Sequence, residues 1–336
     1  MRTFVIAEAG ANHNKEWDLA KQLVEVAVKS GADAVKFQTY TSSDLYSSNT
    51  PDFAGYSNIP ELIRSIELPR SWHKDLKMLC DDCGIEFMST PFDERAVDEL
   101  VDVGVRRLKV ASFEAKDRRL LRKIAHTKLP VIFSAGVGTS LQDVGEIIDF
   151  LAAEGASEDV TVLHCNSAYP TPFEDICLNQ IRDLIEEYGN QVKVGFSDHT
   201  LGILAPPIAV ALGAVTVEKH FTLDRSMKGP DHPFAIEPSE LREMVTNIRT
   251  TETMLRSKVG MTGSERDRKM WSALRSVVTS RPIAAGSTIT SDDVTTKRPR
   301  LPNSVPAEDY FKVIDGTSIA TRDLPADHIL LAGDLK

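Results

Sequence analysis

Residues 214–231, AVTVEKHFTLDRSMKGPD, begin like a buried strand and end in polar chemistry. The β-branched side chains of Val215–Val217 favour an extended backbone. Glu218, Lys219 and His220 follow at once, where a core strand would normally stay apolar. Because side chains alternate along a strand, Glu218 and His220 point to the same face. We therefore expect this strand to end in a functional site.

An alternation of strands and helices extends over most of the chain before this stretch. The predicted strands are Thr3–Gly10, Ala34–Tyr40, Glu86–Phe92, Arg107–Ser112, Val131–Gly136, Val160–Asn166, Val192–Asp198 and Ala214–Phe221. The predicted helices are Trp17–Ser30, Ser71–Cys83, Glu94–Val103, Arg118–His126, Leu141–Ala153, Asp175–Tyr188, Leu201–Leu212 and Ser239–Leu255. Eight such units over about 250 residues predict an α/β fold, a (β/α)8 TIM barrel. A doubly wound open sheet is the alternative, but it would require a glycine-rich nucleotide loop after the first strand, and Ala9–His13 is not one.

The domain organisation follows from where this alternation stops. The barrel is predicted at 1–256, a polar linker at 257–273 and a small β-rich domain at 274–336, with short strands such as Ser276–Ser280 and Ile314–Thr321. The longest connection in the barrel, Thr41–Pro69, shows little periodicity. We interpret it as a loop over the barrel mouth.

Composition excludes several classes of function. A formal charge of −10 over 336 residues argues against a nucleic-acid partner. No apolar run is long enough to span a membrane, and the first predicted strand leaves no room for a signal peptide, so we expect a cytoplasmic protein. The four cysteines are too scattered for a disulfide framework, and we interpret Cys80 and Cys83 as ordinary helix residues.

Polar residues end every predicted strand of the barrel. Functional groups of TIM barrels lie at these carboxyl ends. His199 and His220 end neighbouring strands, which lie about 4.8 Å apart, so both imidazoles could reach one divalent ion. Alternatively, each could donate to a nearby carboxylate. The further candidates along the strand ends are Glu8, Lys36, Gln38, Thr90, Lys109, Ser112, Glu114, Ser134 and Ser197.

The residue types at these ends suggest particular roles. Lys36 and Lys109, with the neighbouring hydroxyls, suit a phosphate or a carboxylate. Either lysine could instead form a Schiff base, as in barrel aldolases, if its pKa is depressed. Glu8 and Glu114 are candidates for proton transfer, or they are salt-bridge partners of the two lysines.

These motifs together resemble a known family. The segments AEAGANHN, GADAVKFQTY, FMSTPFD, LKVASFE, IFSAG, HCNSAYPTP, GFSDHT, EKHFTLDR and GPDH occur in the order found in sialic acid synthases and other nonulosonate synthases. The C-terminal segment SVVTSRPIAAGSTITSDDVTTKRP is similar to the antifreeze-like (SAF) domain of that family. The resemblance covers nearly the whole chain.

The resemblance implies condensation of phosphoenolpyruvate with an aldehyde sugar such as N-acetylmannosamine, which gives a nine-carbon 2-keto-3-deoxy acid and releases phosphate by C–O cleavage. It implies a divalent metal, commonly Mn²⁺ with Mg²⁺ or Co²⁺ as alternatives, and a homodimer in which the SAF domain of one subunit covers the barrel of the other. The implied metal ligands are His199 and His220, and Glu8, Lys109 and Glu114 are the catalytic residues. The phosphoenolpyruvate ligands are Lys36, Thr90, Lys109, Ser112, Ser134 and Ser197, and the sugar ligands are Gln38, Tyr169, Asp231 and Arg298.

Some positions depart from the sialic acid synthase pattern. Ser167 replaces a common Asn, and Arg300 replaces a common Gly after Lys297–Pro299. The motif KVASFE is similar to pseudaminate synthases, whereas GPDH is similar to the sialic and legionaminic branch. A pseudaminate or legionaminate synthase acting on a 6-deoxy diacetamido hexose is therefore the alternative. A sugar- or ice-binding protein with an inactive barrel is a further alternative. The resemblance gives Glu218 no direct role, so we expect it only to support the site.

Overall fold

The computed structural model describes residues 2–52, 57–256, 260 and 263–336. The chain divides into two compact units, Met1–Arg256 and Ser257–Lys336. Residues 53–56 of the predicted mouth loop and 257–259 and 261–262 of the predicted linker lie outside the described residues. In the described part of the predicted linker, a short helix at Glu265–Arg268 is followed by a 3₁₀ helix at Lys269–Ala273.

The first unit is a parallel sheet of eight strands. The strands are β1 (Phe4–Gly10), β2 (Ala34–Thr39), β3 (Glu86–Pro91), β4 (Leu108–Val110), β5 (Val131–Ala135), β6 (Val160–Cys165), β7 (Lys193–Asp198) and β8 (Thr216–His220). The hydrogen-bonded order is β3-β2-β1-β8-β7-β6-β5-β4. The two ends of this order, β3 and β4, lie side by side with Cα atoms within 8 Å, so the sheet curls into a barrel. The predicted TIM barrel is confirmed.

Helices cover the outside of this sheet. They are α1 (Trp17–Ser30), α2 (Ser42–Leu45), α3 (Ile59–Ile66), α4 (His73–Asp82), α5 (Glu94–Asp102), α6 (Arg118–His126), α7 (Leu141–Ala153), α8 (Gln180–Tyr188), α9 (Ala205–Ala211) and α10 (Pro238–Leu255). Their ends follow local chemistry. The Asp117 side chain caps α6, Ser140 forms a capping box at the start of α7, and Gly31 ends α1 in the left-handed conformation. For these three helices the predicted bounds are confirmed.

The larger differences between the predicted and the observed elements of the barrel occur in three helical regions. The predicted irregular loop at Thr41–Pro69 is wrong where α2 and α3 form, and α3 buries Ile59 and Ile66 on one face. The helix predicted from Asp175 begins only at Gln180, because Cys177 has a left-handed backbone with φ 41°. The helix predicted from Leu201 begins at Ala205, with a proline in its first turn.

The barrel interior has an apolar lower layer at the amino-terminal half of the strands. Its members are fully or almost fully buried: Ile6, Ala34, Met88, Ile132 and Leu163. The other apolar side chains of the strands face the surrounding helices in a larger core. On four of these strands a polar residue follows two positions later, on the same face and nearer the carboxyl end: Glu8, Lys36, Thr90 and Ser134.

The second unit is small and rich in short β-bridges. Strands β9 (Ser276–Thr279) and β10 (Val294–Lys297) pair antiparallel, and isolated bridges join the remaining segments. The strand predicted at Ile314–Thr321 is wrong, because only single bridges form there, at Ile319 and Ala320, after a short helix at Tyr310–Val313. Across the residues that the structure describes, no helix is both long and apolar enough to cross a membrane.

Candidate active site

Four charged side chains form the upper layer of the barrel interior. The Lys36 Nζ lies 2.9 Å from Glu8 Oε2 and 3.7 Å from Glu218 Oε1. The Lys109 Nζ lies 3.6 Å from the same oxygen of Glu218. All four side chains are at most 5% exposed. Glu218 therefore bridges the two lysines inside the barrel. It lies two residues before His220, on the same face of β8.

Hydroxyl groups surround the two lysine ammonium groups. Lys36 donates to Thr90 Oγ1 at 2.9 Å, and Lys109 donates to Ser134 Oγ at 2.8 Å. Ser197 donates to Glu218 Oε1 at 3.3 Å. Thr90, Ser134 and Ser197 each come from a different strand, β3, β5 and β7. The result is a cationic, hydrogen-bonding lining of the kind that binds phosphate or carboxylate.

Burial and neighbouring charge act on the pKa values of this cluster in opposite directions. Burial raises the pKa of Glu8 to about 7, although Lys36 opposes the shift. Burial lowers the pKa of Lys109, against the attraction of Glu218. Burial also disfavours the charged form of Glu218, but Lys109 and Lys36 override it and lower the pKa of Glu218. Glu218 is thus the carboxylate that stays ionised between the lysines.

His199 and His220 lie together above this cluster, with ring centroids 5.4 Å apart. The Nδ1 of His199 lies 2.6 Å from the carbonyl oxygen of Asn166, to which it donates. Its Nε2 is therefore the nitrogen with a free lone pair. The Nδ1 of His220 is buried without a hydrogen-bond partner and lies 3.6 Å from Asp231 Oδ2. Burial lowers the pKa of His199 to about 4 and that of His220 well below its usual value, so both rings are neutral at pH 7.

This arrangement fits a divalent cation. Neutral imidazoles are good ligands for divalent transition metals, and the unpartnered Nδ1 of His220 is a buried nitrogen that such an ion would satisfy. No group of three or more His, Cys, Asp or Glu side chains within the described residues is arranged as a metal site. An ion held by two imidazoles would keep further coordination positions for water or substrate, as an ion that takes part in a reaction requires.

Aromatic rings and Asp231 form a wall beside the histidines. The Tyr169 ring lies 4.3 Å from the His199 ring, and Phe234 packs 5.2 Å from His220. Gly10, with φ 51°, lies against this wall, and a Cβ there would come within 2.9 Å of Asp231 Oδ2. A larger residue at position 10 would therefore strain the left-handed backbone and press on the Asp231 carboxylate beside His220.

Glu114 lies in the turn after β4, close enough to Lys109 for the ammonium charge to oppose the upward shift of its pKa. Burial raises its pKa to about 7, and its Oε2 is buried without a hydrogen-bond partner. A cavity of about 500 Å³ is lined nearby by Phe113, Gly136 and Ser167. Ser167 shares a hydrogen bond of 2.8 Å with Ser112 at this edge. The serine in place of the expected asparagine thus contacts a predicted phosphoenolpyruvate ligand.

The structure brings most of the predicted residues together in the barrel. Gln38 belongs to the same group, because its amide donates to Glu8 Oε1 at 3.0 Å. Arg298 lies in the second unit, where it is exposed, precedes the cis-Pro299, and has no hydrogen bond or ion pair among the described residues. Glu218 takes a more central place than the supporting role expected from the sequence, and Phe234 was not among the predicted residues. The alternation of side chains already placed Glu218 on the face of His220, whereas nothing in the local pattern indicated Phe234.

Comparison with known proteins identifies the family of the chain. A family model described as the NeuB family matches residues 23–260, and a model of the SAF domain matches residues 275–336. The chain belongs to the NeuB family of nonulosonate synthases. The predicted family and the predicted SAF domain are both confirmed.

Individual members of the NeuB family are similar over most of the chain. The N,N'-diacetyllegionaminic acid synthase of Legionella pneumophila is 40% identical, over 89% of this chain and 86% of its own. A pseudaminic acid synthase of Campylobacter jejuni is 36% identical, over 89% of this chain and 88% of its own. The crystal structure of an N-acetylneuraminic acid synthetase from Leptospira borgpetersenii, in complex with citrate, is 31% identical with a TM-score of 0.72, over 80% of this chain and 90% of its own.

Proposed function

We propose that this NeuB-family synthase condenses phosphoenolpyruvate with an N-acylated aldehyde sugar, N-acetylmannosamine or a relative, to give a nine-carbon 2-keto-3-deoxy acid and phosphate. One observation carries the proposal: two buried lysines, each hydrogen-bonded to a hydroxyl group, lie directly below a pair of neutral histidines. The lysines suit an anion and the histidines suit a metal ion, which together match a reaction between an anionic enol ester and a carbonyl group.

The anion would bind to Lys36 and Lys109, with Thr90, Ser112, Ser134 and Ser197 as further hydrogen-bond donors. These donors are already oriented by the barrel, so their dipoles need little reorganisation when charge develops in the reaction. Glu218 holds both lysines in place before the anion arrives. Glu114 would be a catalytic residue whose carboxylate stabilises positive charge at C2 of the enol ester; its support is the electrostatic interaction with Lys109 and the position of the preceding residue, Phe113, in the wall of the cavity.

The sugar would lie on the histidine side of the site, against Tyr169 and Asp231, with Gln38 below it. A divalent ion held by His199 and His220, Mn²⁺ in our proposal with Mg²⁺ or Co²⁺ as alternatives, would supply Lewis-acid polarisation of the aldehyde oxygen. Glu8 lies beside Lys36 with a pKa near 7, so it can accept or donate a proton at neutral pH.

The test is phosphate release from phosphoenolpyruvate against a panel of aldehyde sugars, with the product mass determined. The proposal predicts phosphate release that requires both the sugar and a divalent ion, together with a product heavier than the sugar by a three-carbon keto acid. No release with any sugar of the panel would contradict it.

The acceptor has a second candidate, a 6-deoxy diacetamido hexose. The observation that favours it is the 40% identity to a legionaminic acid synthase. The same panel decides between the acceptors, since the value of kcat/KM for N-acetylmannosamine, its 6-phosphate and the diacetamido sugars can be compared directly. A higher value for a diacetamido sugar would make this chain a legionaminate or pseudaminate synthase.

A Schiff-base aldolase remains a second candidate chemistry, because burial lowers the pKa of Lys109. Borohydride reduction in the presence of substrate traps a Schiff base as a stable mass increase on the lysine. The synthase proposal predicts no such adduct and complete loss of activity with EDTA. Activity that survives full removal of metal would favour the aldolase.

We further propose a homodimer in which Arg298 of one subunit completes the sugar site of the other. Its support is the exposed guanidinium, which has no partner among the described residues. Mixing inactive Arg298→Ala and His220→Ala proteins should restore part of the activity through hybrid dimers. If activity does not recover under conditions in which subunits exchange between dimers, the proposed arrangement of the SAF domain over the partner's barrel is contradicted.

A further inference from the structure

The residues that precede the two histidines form an ion pair of their own. Asp198 precedes His199, Lys219 precedes His220, and the two are register partners in the last pair of the β7–β8 ladder. The Lys219 Nζ lies 2.7 Å from Asp198 Oδ2. Because side chains alternate, this pair lies on the outer face of the sheet, opposite the face that carries Glu218.

Lys219 also contacts the chain on the far side of His199. Its ammonium group donates to the carbonyl oxygen of Thr200. Asp198 Oδ1 in turn accepts hydrogen bonds from the Thr200 backbone N–H at 2.9 Å and from its hydroxyl group at 2.8 Å. Lys219, the residue before His220, therefore contacts both neighbours of His199 in the chain, Asp198 and Thr200. The β7–β8 ladder itself ends one residue short of the histidines.

An apolar pair at this place could give the fold as much stability as the Asp198–Lys219 ion pair. The Lys219 and Asp198 side chains are 1% and 0% exposed, and the adjacent Phe196 and Val217 belong to the apolar core outside the sheet. Removing two charges from water costs several kcal/mol per ion, and an apolar pair of similar volume often gives equal or greater stability. What an ion pair adds is a fixed, directional contact between two backbones.

We propose that the Asp198–Lys219 ion pair is a positioning device that sets the separation and orientation of His199 and His220 for a divalent cation. The inference rests on the proposed function, because it requires the two imidazoles to be metal ligands. Neither Asp198 nor Lys219 would touch the ion. They act through the backbone of the histidines, in the way that residues around a metal site orient its ligands.

The experiment measures Mn²⁺ binding to the full-length protein by isothermal titration calorimetry, and the visible absorption of the Co²⁺-loaded protein, whose bands report coordination geometry. Lys219→Met should weaken Mn²⁺ binding by about 10- to 100-fold and alter the Co²⁺ bands. A purely structural role would lower the free energy of unfolding but would move neither of these measurements.

Arg107→Met is the matched control. Arg107 pairs with Glu86 at 2.7 Å, at the amino-terminal ends of β3 and β4 and so at the opposite end of the barrel from the histidines. Arg107→Met should destabilise the fold, yet leave the Kd for Mn²⁺ and the Co²⁺ spectrum unchanged. A comparable weakening of Mn²⁺ binding in this control would show that general destabilisation, and not positioning, explains the Lys219 result.

A second variant keeps the test decisive if Lys219→Met does not fold, since that change leaves the Asp198 carboxylate buried alone. Asp198→Asn with Lys219→Met removes both charges and retains an oxygen for Thr200. We expect it to fold and to bind Mn²⁺ at least about tenfold more weakly than the wild type. Wild-type Mn²⁺ affinity and an unchanged Co²⁺ spectrum in this variant would overturn the inference alone. If the double variant His199→Ala, His220→Ala binds Mn²⁺ as tightly as the wild type does, the proposed metal site is wrong, and this inference fails with it.

Discussion

The lower and upper layers of the barrel interior are built from the same strands but have different roles. On β1, Ile6 belongs to the apolar lower layer, and Glu8, two residues later, belongs to the charged upper layer. On β5, Ile132 and Ser134 show the same change. Apolar packing fills the lower layer at little cost, whereas the upper layer buries four charged groups. An apolar core at the same place could be as stable as these buried charges. Their presence in the upper layer therefore indicates a functional site.

The largest effect on catalysis is expected from the histidine pair of the upper layer. His220→Ala should lower the rate of phosphate release by about 10³-fold or more, because a Lewis-acid metal contributes several kcal/mol to the transition state. His73→Gln is the control, since His73 is similarly buried but, among the described residues, its side chain forms a hydrogen bond only with Thr39 on the outer side of the sheet. Equal losses in the two variants would break the distinction between the layers.

The lysine cluster should give the next largest effect. Lys109→Met removes one charge-assisted contact to the anion and leaves Glu218 with Lys36 alone. We expect kcat/KM for phosphoenolpyruvate to fall about 100-fold or more, in line with the 2–5 kcal/mol typical of breaking a buried charge pair. Steady-state kinetics on protein that is folded by circular dichroism checks this. A change within about threefold would exclude Lys109 from the anion site.

The raised pKa of Glu114 predicts a smaller, pH-dependent effect. Burial keeps this carboxyl protonated below about pH 7, so a reaction that needs its carboxylate slows as the pH falls, by about tenfold per unit. Glu8 has a similarly raised pKa and adds a second titration. In a plot of log kcat/KM against pH, Glu114→Gln should therefore halve the slope of the acidic limb. An unchanged slope would show that Glu114 does not titrate in catalysis.

The lower layer should affect stability and leave catalysis almost untouched. Ile132→Ala should lower the free energy of unfolding by about 2–5 kcal/mol, since it opens a cavity in a packed interior. The value of kcat per folded molecule should stay within about twofold. Urea unfolding and active-site titration of the same sample check both parts. A loss of catalysis comparable with Lys109→Met would mean that the two layers are not functionally separate.

The sequence was most informative where the signal is local. Helices α6 and α7 were predicted to the residue because their caps, Asp117 and Ser140, are next to them in the chain. Helix α3 was missed because eight residues give only two turns of periodicity in a polar connection. The neighbouring positions of His199 and His220 followed from the order of parallel strands, which the fold alone determines.

Contacts between distant strands could not be predicted in the same way. The alternation of side chains gave the face of Glu218, but its partners Lys36 and Lys109 come from β2 and β4, which are far from β8 in the sequence. Its central place in the charge cluster therefore became apparent only in the folded barrel. The packing of Phe234 on His220 likewise depends on the course of the loop after β8, for which no periodic pattern exists.

The central claim is that the upper layer of the barrel binds a divalent ion and phosphoenolpyruvate side by side. A crystal structure of the protein with Mn²⁺ and phosphoenolpyruvate, with anomalous diffraction to locate the metal, tests it most directly. The account predicts one strong anomalous peak within coordination distance of both His199 and His220, with the phosphoenolpyruvate anion contacting Lys36 and Lys109. Manganese bound elsewhere, or phosphoenolpyruvate bound away from the two lysines, would contradict it.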